Sequence, residues 1–174
     1  MSYSAPLECG LSKAAVDGLA ASVAEHLHYQ PGQDLEPIVG RLGGRIRVQD
    51  VLEFNRVSSG SIRIESQNDF QIVLAAHTGP TRDRFTIAHE LGHYFLHYIY
   101  PNQTGRSVSK LEAQRYGTGR VEWEANWFAA GFLMPANVFR YQFTQLSGSI
   151  PLLADRFGVS VEAASIRIKV LSLA

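Results

Sequence analysis

The sequence is poor in cysteine, in charged residues and in long apolar runs, and each shortage excludes a class of protein. Cys9 is the single cysteine, so no disulfide can form within the chain, which favours a reducing environment. No run of about 18 apolar residues occurs, so no membrane span is expected. Residues 1–10 lack both the basic start and the apolar core of a signal peptide, and we therefore expect a cytoplasmic protein.

Charge is both scarce and balanced in this chain. Charged residues make up 18% of it, and 16 lysines and arginines offset 16 acidic residues. A formal net charge of zero argues against electrostatic capture of nucleic acid or of an anionic membrane surface. The length of 174 residues and the hydrophobic content of 45% are typical of one soluble globular domain.

The hydrophobic periodicity predicts an α+β domain in which a small three-stranded sheet packs on helices. Ser12 is a suitable N-cap for the first helix, and Pro135 is expected to open a later one. Residues 101–120 are polar and carry a net charge of +3, from four basic residues and one acidic residue. They are expected to form a mobile loop that contributes to substrate recognition. The predicted helices span residues 12–28, 35–42, 81–98, 121–133, 151–157 and 160–171, and the predicted strands span 45–48, 61–65 and 71–74.

The strongest functional signal is an H-E-x-x-H motif, which runs from His89 to His93 inside the predicted helix 81–98. Residues at i and i+4 lie on one face of a helix, so both imidazoles can bind a single Zn²⁺ ion. Glu90 follows the first histidine and can act as general base on a water molecule that the metal makes acidic. Two histidines and a carboxylate on a solvated face are the simpler alternative, but the apolar neighbours of the motif indicate a buried helix.

A catalytic zinc site needs a third protein ligand in addition to the two histidines. His97 lies eight residues from His89, about 12 Å along an α-helix, so it is expected to pack or to hydrogen-bond a ligand. On the helix that follows, Glu122 shares a face with Asn126, whose amide can hold a ligating histidine by its second nitrogen. We therefore favour Glu122 over Glu124 as the third ligand, and we expect Glu124 to be an ordinary exposed carboxylate.

Two segments together carry a resemblance to a known family. The string RFTIAHELGHYFLH at residues 84–97, followed by E-x-E-A-N-x-F-A-A-x-x-L-M-P at 122–135, resembles the ImmA/IrrE family of metallo-endopeptidases. The resemblance implies a zincin-like fold with His89, His93 and Glu122 as zinc ligands and Glu90 as the catalytic glutamate. It also implies a protein partner, a helix-turn-helix transcriptional repressor, whose cleavage derepresses genes. Some members carry a further C-terminal domain, for which a chain that ends at Ala174 is expected to leave no room.

The tail of the chain, residues 135–174, has the spacing of a helix-turn-helix and is expected to follow a metallopeptidase core of residues 1–134. Its second helix places Glu162 early and Arg167 late, whereas a DNA reader needs basic or amide side chains in its first turn. We therefore expect this segment to pack on the core as a helical hairpin, without direct DNA binding.

Two functions from different classes are compatible with these residues. One is a zinc endopeptidase, and the other is a metal-containing regulator that binds DNA or a repressor without proteolysis. Glu90 favours the peptidase, because a structural metal site needs no base beside its ligands. Strand 71–74 is a candidate edge to which a substrate strand adds. The group that stabilises the oxyanion stays open among Tyr94, Tyr98, Tyr116, Tyr141 and His77.

Overall fold

A computed structural model describes residues 2–49, 61–76, 78–114 and 119–173, which form one mixed β-sheet and the helices around it. The predicted α+β class is confirmed. The strands are β1 (Gly44–Val48), β2 (Ser61–Ser66), β3 (Asp69–Leu74) and β4 (Leu111–Gln114). The helices are α1 (Lys13–His26), α2 (Glu36–Arg41), α3 (Pro80–Gly92), a π-helix (His93–Ile99), α4 (Tyr100–Gln103), α5 (Arg120–Leu133), α6 (Ala136–Gln145), α7 (Ile150–Phe157) and α8 (Val161–Val170).

The strands lie in the order β1-β3-β2-β4, with β1 parallel to β3 and the other two pairs antiparallel. β3 therefore lies inside the sheet, and strands pair with both of its edges. The expectation that strand 71–74 is an edge for a substrate strand is wrong, because an added strand needs unpaired backbone N–H and C=O groups. Alternating hydrophobicity identifies a strand but does not determine which strands become its neighbours.

β4 lies within residues 101–120, which the sequence predicts to be a loop. It pairs with β2 so that Leu111 lies opposite Ile64 and Ala113 lies opposite Ile62. Leu111 and Ala113 are buried in the core. The prediction of a three-stranded sheet misses this strand because two apolar residues among polar ones are too short a pattern to distinguish from a loop. Residues 115–118 lie outside the described part of the chain.

The predicted helices are present with small shifts at their ends. The Ser12 hydroxyl caps α1 as predicted, because it accepts a hydrogen bond from the Ala15 N–H at 3.1 Å. α5 packs against both α1 and α3, while α3 also contacts β3. Within the described residues, no helix combines the length and the apolar character needed to span a bilayer.

The helix that begins at Pro80 changes from α to π geometry at His93. Hydrogen bonds of a π-helix run from i to i+5, so its turn is wider than that of an α-helix. The rings of His93 and His97 lie near each other, with their centroids 5.1 Å apart, much like those of His89 and His93 at 4.9 Å.

The last two helices, α7 and α8, are joined by a tight turn in which Gly158 adopts the left-handed conformation with φ at 62°. Arg167 on α8 is only 3% exposed. Its guanidinium donates hydrogen bonds to the carbonyl oxygen of Met134 at 2.9 Å and to Asp17 Oδ1 at 2.6 Å. These contacts tie α8 to α1 and to the end of α5, whereas a DNA reader would have to expose this arginine. The division of the chain at residue 134 stays a prediction.

The crossing of α3 and α5 requires a glycine at position 92. A Cβ atom at Gly92 would lie 3.0 Å from both the Cα and the carbonyl oxygen of Ala125. We predict that Gly92→Ala lowers the free energy of unfolding by about 1–2 kcal/mol, because the cost of overpacking exceeds the gain in helix propensity. Denaturant unfolding of the metal-free protein measures this change.

Gly18→Ala is the matched control for this prediction, since Gly18 lies in the middle of α1 with no heavy atom within 4 Å of the added Cβ. Without a steric conflict, this variant should be more stable by about 0.5–1 kcal/mol. Equal stabilisation by both substitutions would contradict the proposed close packing of α3 on α5.

Candidate metal centre

His89, His93 and Glu122 converge, with one potential ligand atom from each within 4.8 Å of the others. His89 Nε2 lies 3.2 Å from His93 Nε2 and 3.1 Å from Glu122 Oε2. His93 Nε2 lies 3.5 Å from Glu122 Oε1. Both histidines are buried, and Glu122 is largely so. The three residues, which come from α3, the π-helix and α5, form a group that could hold a metal ion.

The position of Glu122 results from the packing of α5 on α3. Glu122 lies in the first turn of α5, near the point where Gly92 allows the two helices to approach. Asn126 follows one turn later, and its Oδ1 lies 2.9 Å from His89 Nδ1. In one tautomer of His89, Nδ1 carries the hydrogen and donates it to the amide oxygen of Asn126. This tautomer leaves His89 Nε2 without a hydrogen and directed at His93 and Glu122. The structure thus places Asn126 where the sequence predicts, as a hydrogen-bond partner of His89.

His97 and Glu124 form a second, deeper group beside the first. His97 Nδ1 lies 3.0 Å from His93 Nδ1, and His97 Nε2 lies 2.9 Å from Glu124 Oε2. The expectation that Glu124 is an exposed carboxylate is wrong, because this residue is 0% exposed. The N-terminal segment covers it, with the Cys9 N–H donating to Glu124 Oε2 at 2.9 Å. Contacts between segments that are 115 residues apart are not visible in the pattern of one helix.

The pKa values of the histidines reflect this burial. Burial lowers the pKa of His93 well below its usual value, and the neighbouring His89 and His97 lower it further. Burial also lowers the pKa of His97, and the hydrogen bond and the charge of Glu124 offset only part of this effect. For His89, burial is outweighed by the hydrogen bond to Glu122 and by the charges of Glu90 and Glu122, so its pKa is raised.

Glu90 lies on α3 between the two histidines of the motif and is buried. Its carboxylate is close enough to His89 for its charge to raise the pKa of that imidazole. Glu90 is not a member of the converging group of His89, His93 and Glu122.

A family model described as Peptidase_M78, the IrrE N-terminal-like domain, matches residues 52–169. The chain belongs to the Peptidase_M78 family. Membership confirms the resemblance to the ImmA/IrrE proteins and indicates a metallopeptidase-like domain. Together with the converging His89, His93 and Glu122, membership also indicates that the protein binds a metal.

One solved structure with the same fold is a Mycobacterium tuberculosis transcriptional regulator, which is 21% identical to this chain with a TM-score of 0.56. The match covers 88% of this Peptidase_M78 chain but only 46% of the regulator, so the chain spans about half the length of that protein. At this level of identity the match shows the fold, which is consistent with the zincin-like architecture of the family. Among curated proteins, none matches the chain significantly.

The oxyanion candidates do not converge on the metal centre in the described part of this Peptidase_M78 domain. The Tyr94 hydroxyl donates to the carbonyl oxygen of Gln67 at 2.6 Å. The Tyr98 hydroxyl points to Ser109, and Tyr141 is exposed on α6. The other two candidates, His77 and Tyr116, lie outside the described residues.

An apolar groove of about 880 Å³ opens between α1, α5 and α8 of the Peptidase_M78 domain. Phe85, Trp127 and Ile166 contribute to its walls. The three potential metal ligands do not line this groove, but Asn126, which holds His89, does. The groove therefore lies on the α5 side of the metal centre.

The raised pKa of His89 predicts that metal affinity depends on pH. Below this pKa a proton occupies the imidazole of His89, and a metal ion must displace it to reach Nε2. Affinity should therefore fall as the pH decreases through the raised pKa and level off above it. Competition titrations with a chelator at a series of values between about pH 5 and pH 8 measure this dependence.

The variant His26→Gln controls for the other histidines, since His26 is exposed in the last turn of α1 and is not in the converging group. It should keep the pH profile of the unaltered protein. Metal affinity that stays constant over the whole series would disprove competition between the proton and the metal.

Proposed function

We propose that this protein is a zinc-dependent endopeptidase of the cytoplasm that cleaves a helix-turn-helix transcriptional repressor at one or a few sites and so derepresses genes. The observation that carries the proposal is the convergence of His89, His93 and Glu122 beside the buried Glu90. Membership in the Peptidase_M78 family supports the peptidase class. The regulatory role is supported by the ImmA/IrrE resemblance and by the similarity to a transcriptional regulator.

The spacing of the three potential ligands suits zinc. Ligand atoms around a tetrahedral ion with bonds of about 2.0–2.2 Å are separated by about 3.3–3.6 Å. The corresponding distances here are 3.1, 3.2 and 3.5 Å, close to the edges of such a tetrahedron. Two imidazoles and one carboxylate are a zinc-type ligand set, while Mg²⁺ and Ca²⁺ prefer oxygen ligands. Three ligands also leave a fourth position open, as catalytic zinc sites do.

The residues of the chain have separate tasks in the proposed reaction. His89, His93 and Glu122 would hold the ion, which supplies Lewis acidity that makes water more acidic and polarises a peptide carbonyl. Glu90 takes the proton from the attacking water and transfers it to the nitrogen of the leaving amine. Asn126 and His97 hold the second nitrogens of His89 and His93, respectively, and so orient both rings.

The alternative, a metal-containing regulator without proteolysis, is less well supported by the site. A metal that only stabilises the fold is usually closed by four protein ligands. Among the described residues, the potential metal group has three members, and an acidic side chain suited to general-base chemistry lies beside it. Direct reading of DNA by α8 is not part of the proposal, because Arg167 is engaged by Asp17 and Met134.

The first prediction from this proposal concerns zinc content. Glu122→Gln should remove most of the bound zinc from the dialysed protein, because an amide is a much weaker ligand than a carboxylate. Elemental analysis gives the metal content directly, with one zinc per chain expected for the unaltered protein. The control is Glu112→Gln on β4, where the carboxylate forms only a partly exposed ion pair with Arg63 at 3.3 Å. Retention of one zinc per chain by Glu122→Gln would refute the ligand assignment.

The second prediction separates the metal from the chemistry. Glu90→Gln should keep the fold and the zinc but lose hydrolysis by a factor of at least about 100, since it removes the general base. The assay incubates zinc-loaded protein with a helix-turn-helix repressor encoded beside its gene and, separately, with unfolded casein. Discrete cleavage of the repressor with little casein digestion is expected. Efficient digestion of casein with an intact repressor would instead indicate a general peptidase, and proteolysis by Glu90→Gln would refute the mechanism.

A further inference from the structure

Both ring nitrogens of His93 are engaged in directional contacts. Its Nε2 faces His89 and Glu122, and its Nδ1 lies 3.0 Å from His97 Nδ1. A nitrogen that binds a metal carries no hydrogen, so a neutral His93 that uses Nε2 must carry its hydrogen on Nδ1. His97 Nδ1 must then act as the acceptor of that hydrogen bond.

The role of acceptor determines the state of His97 in turn. A neutral imidazole that accepts at Nδ1 carries its hydrogen on Nε2. His97 Nε2 lies 2.9 Å from Glu124 Oε2, a carboxylate oxygen that can accept this hydrogen. One arrangement of hydrogens therefore satisfies all three residues, and it directs the lone pair of His93 Nε2 toward the metal centre. With the opposite tautomer of His97, two N–H groups would face each other across the contact with His93.

Glu124 is itself held firmly at the end of this chain of hydrogen bonds. Its Oε2 also accepts from the Cys9 N–H at 2.9 Å, and its Oε1 accepts from Arg120 Nε at 3.0 Å. Arg120 in turn donates to the carbonyl oxygen of Leu11 at 2.8 Å. The side chain of Glu124 is fully buried, while that of Arg120 is 39% exposed. If Glu124 served only to form an ion pair with Arg120, the pair would form equally well nearer the surface. There the Glu124 carboxylate would avoid most of the cost of desolvation.

We propose that Glu124 is a positioning residue for the metal ligand His93. Acting through His97, its carboxylate holds both imidazoles in the tautomers that leave His93 Nε2 free to bind the ion. The inference rests on the proposed function of His89, His93 and Glu122 as a zinc site. It assigns a role to the carboxylate that lies two residues from the proposed ligand Glu122 and is not itself in the group of converging donors.

The first test measures zinc affinity by competition with a chromophoric chelator. Glu124→Met removes the acceptor at similar side-chain length and should weaken zinc binding by about 10–100-fold, as expected for loss of a group that orients a ligand. Glu124→Gln keeps one carbonyl oxygen for His97 and should restore part of the affinity. Glu112→Gln, the surface control, should bind zinc like the unaltered protein. Unchanged affinity in Glu124→Met would overturn the proposal.

The second test asks whether Glu124 acts through His97. His97→Phe removes the middle of the chain of hydrogen bonds and should weaken zinc binding to a similar degree. If the two residues act in series, a Glu124 substitution should cause little further loss in the His97→Phe background. The same cycle can be made with Glu124→Gln if Glu124→Met does not fold. Independent losses that multiply in the double variant would show a structural role for Glu124 and would contradict the proposal.

The third test observes the tautomers directly by imidazole ¹⁵N NMR, with and without zinc. We expect the hydrogen of His97 on Nε2 in the unaltered protein and a redistribution toward Nδ1 in Glu124→Met. A His97 hydrogen on Nδ1 in the unaltered protein would overturn the inference.

The readouts of all three tests, zinc affinity and tautomer populations, do not involve hydrolysis. A protein that binds zinc with these tautomers but cleaves nothing would refute the proposed function alone, whereas active protein with unaffected Glu124 variants would refute the positioning role alone.

Discussion

The close packing of α3 on α5 is the constraint on which the metal centre depends. His89 and Glu90 belong to α3, Glu122 belongs to α5, and the two helices meet where Gly92 leaves room for the backbone of Ala125. A carboxylate reaches only a few ångströms from its backbone, so a small separation of the helices would remove Glu122 from hydrogen-bond distance of both histidines. The H-E-x-x-H motif therefore supplies two imidazoles, but the helix crossing completes the group.

The hydrogen-bonded contacts of the metal centre continue along the π-helix that begins at His93. His97 lies beside His93 and contacts Glu124, so that polar side chains continue from the metal centre into the interior. Buried polar groups are costly unless they are hydrogen-bonded, and here each contact supplies the partner that the next group needs. Burial raises the pKa of Glu124, but its hydrogen bonds with Cys9, His97 and Arg120 lower it more, so the pKa lies below its usual value. The carboxylate is thus ionised despite its burial.

Pairing within the sheet and packing of the tail use features that the sequence offers for binding a partner. β3 is enclosed by β1 and β2, and β4 forms a bridge to Ser4 through Leu111. α8 packs through Arg167 and leaves an apolar groove that Asn126 lines. The helix-turn-helix spacing of the tail therefore serves packing in this chain, since its late arginine is used inside the fold.

The sequence alone determines the features that depend on neighbours within one element. The i,i+4 spacing of His89 and His93, their separation by Glu90, the Ser12 cap and the pairing of Glu122 with Asn126 on one helix face follow from helical geometry. Tertiary structure decides what depends on distant segments: the interior place of β3, the strand Leu111–Gln114, and the burial of Glu124 beneath Cys9. The physical reason is that periodicity reports which face of an element is apolar, whereas the partner that covers this face is selected by packing across the whole chain.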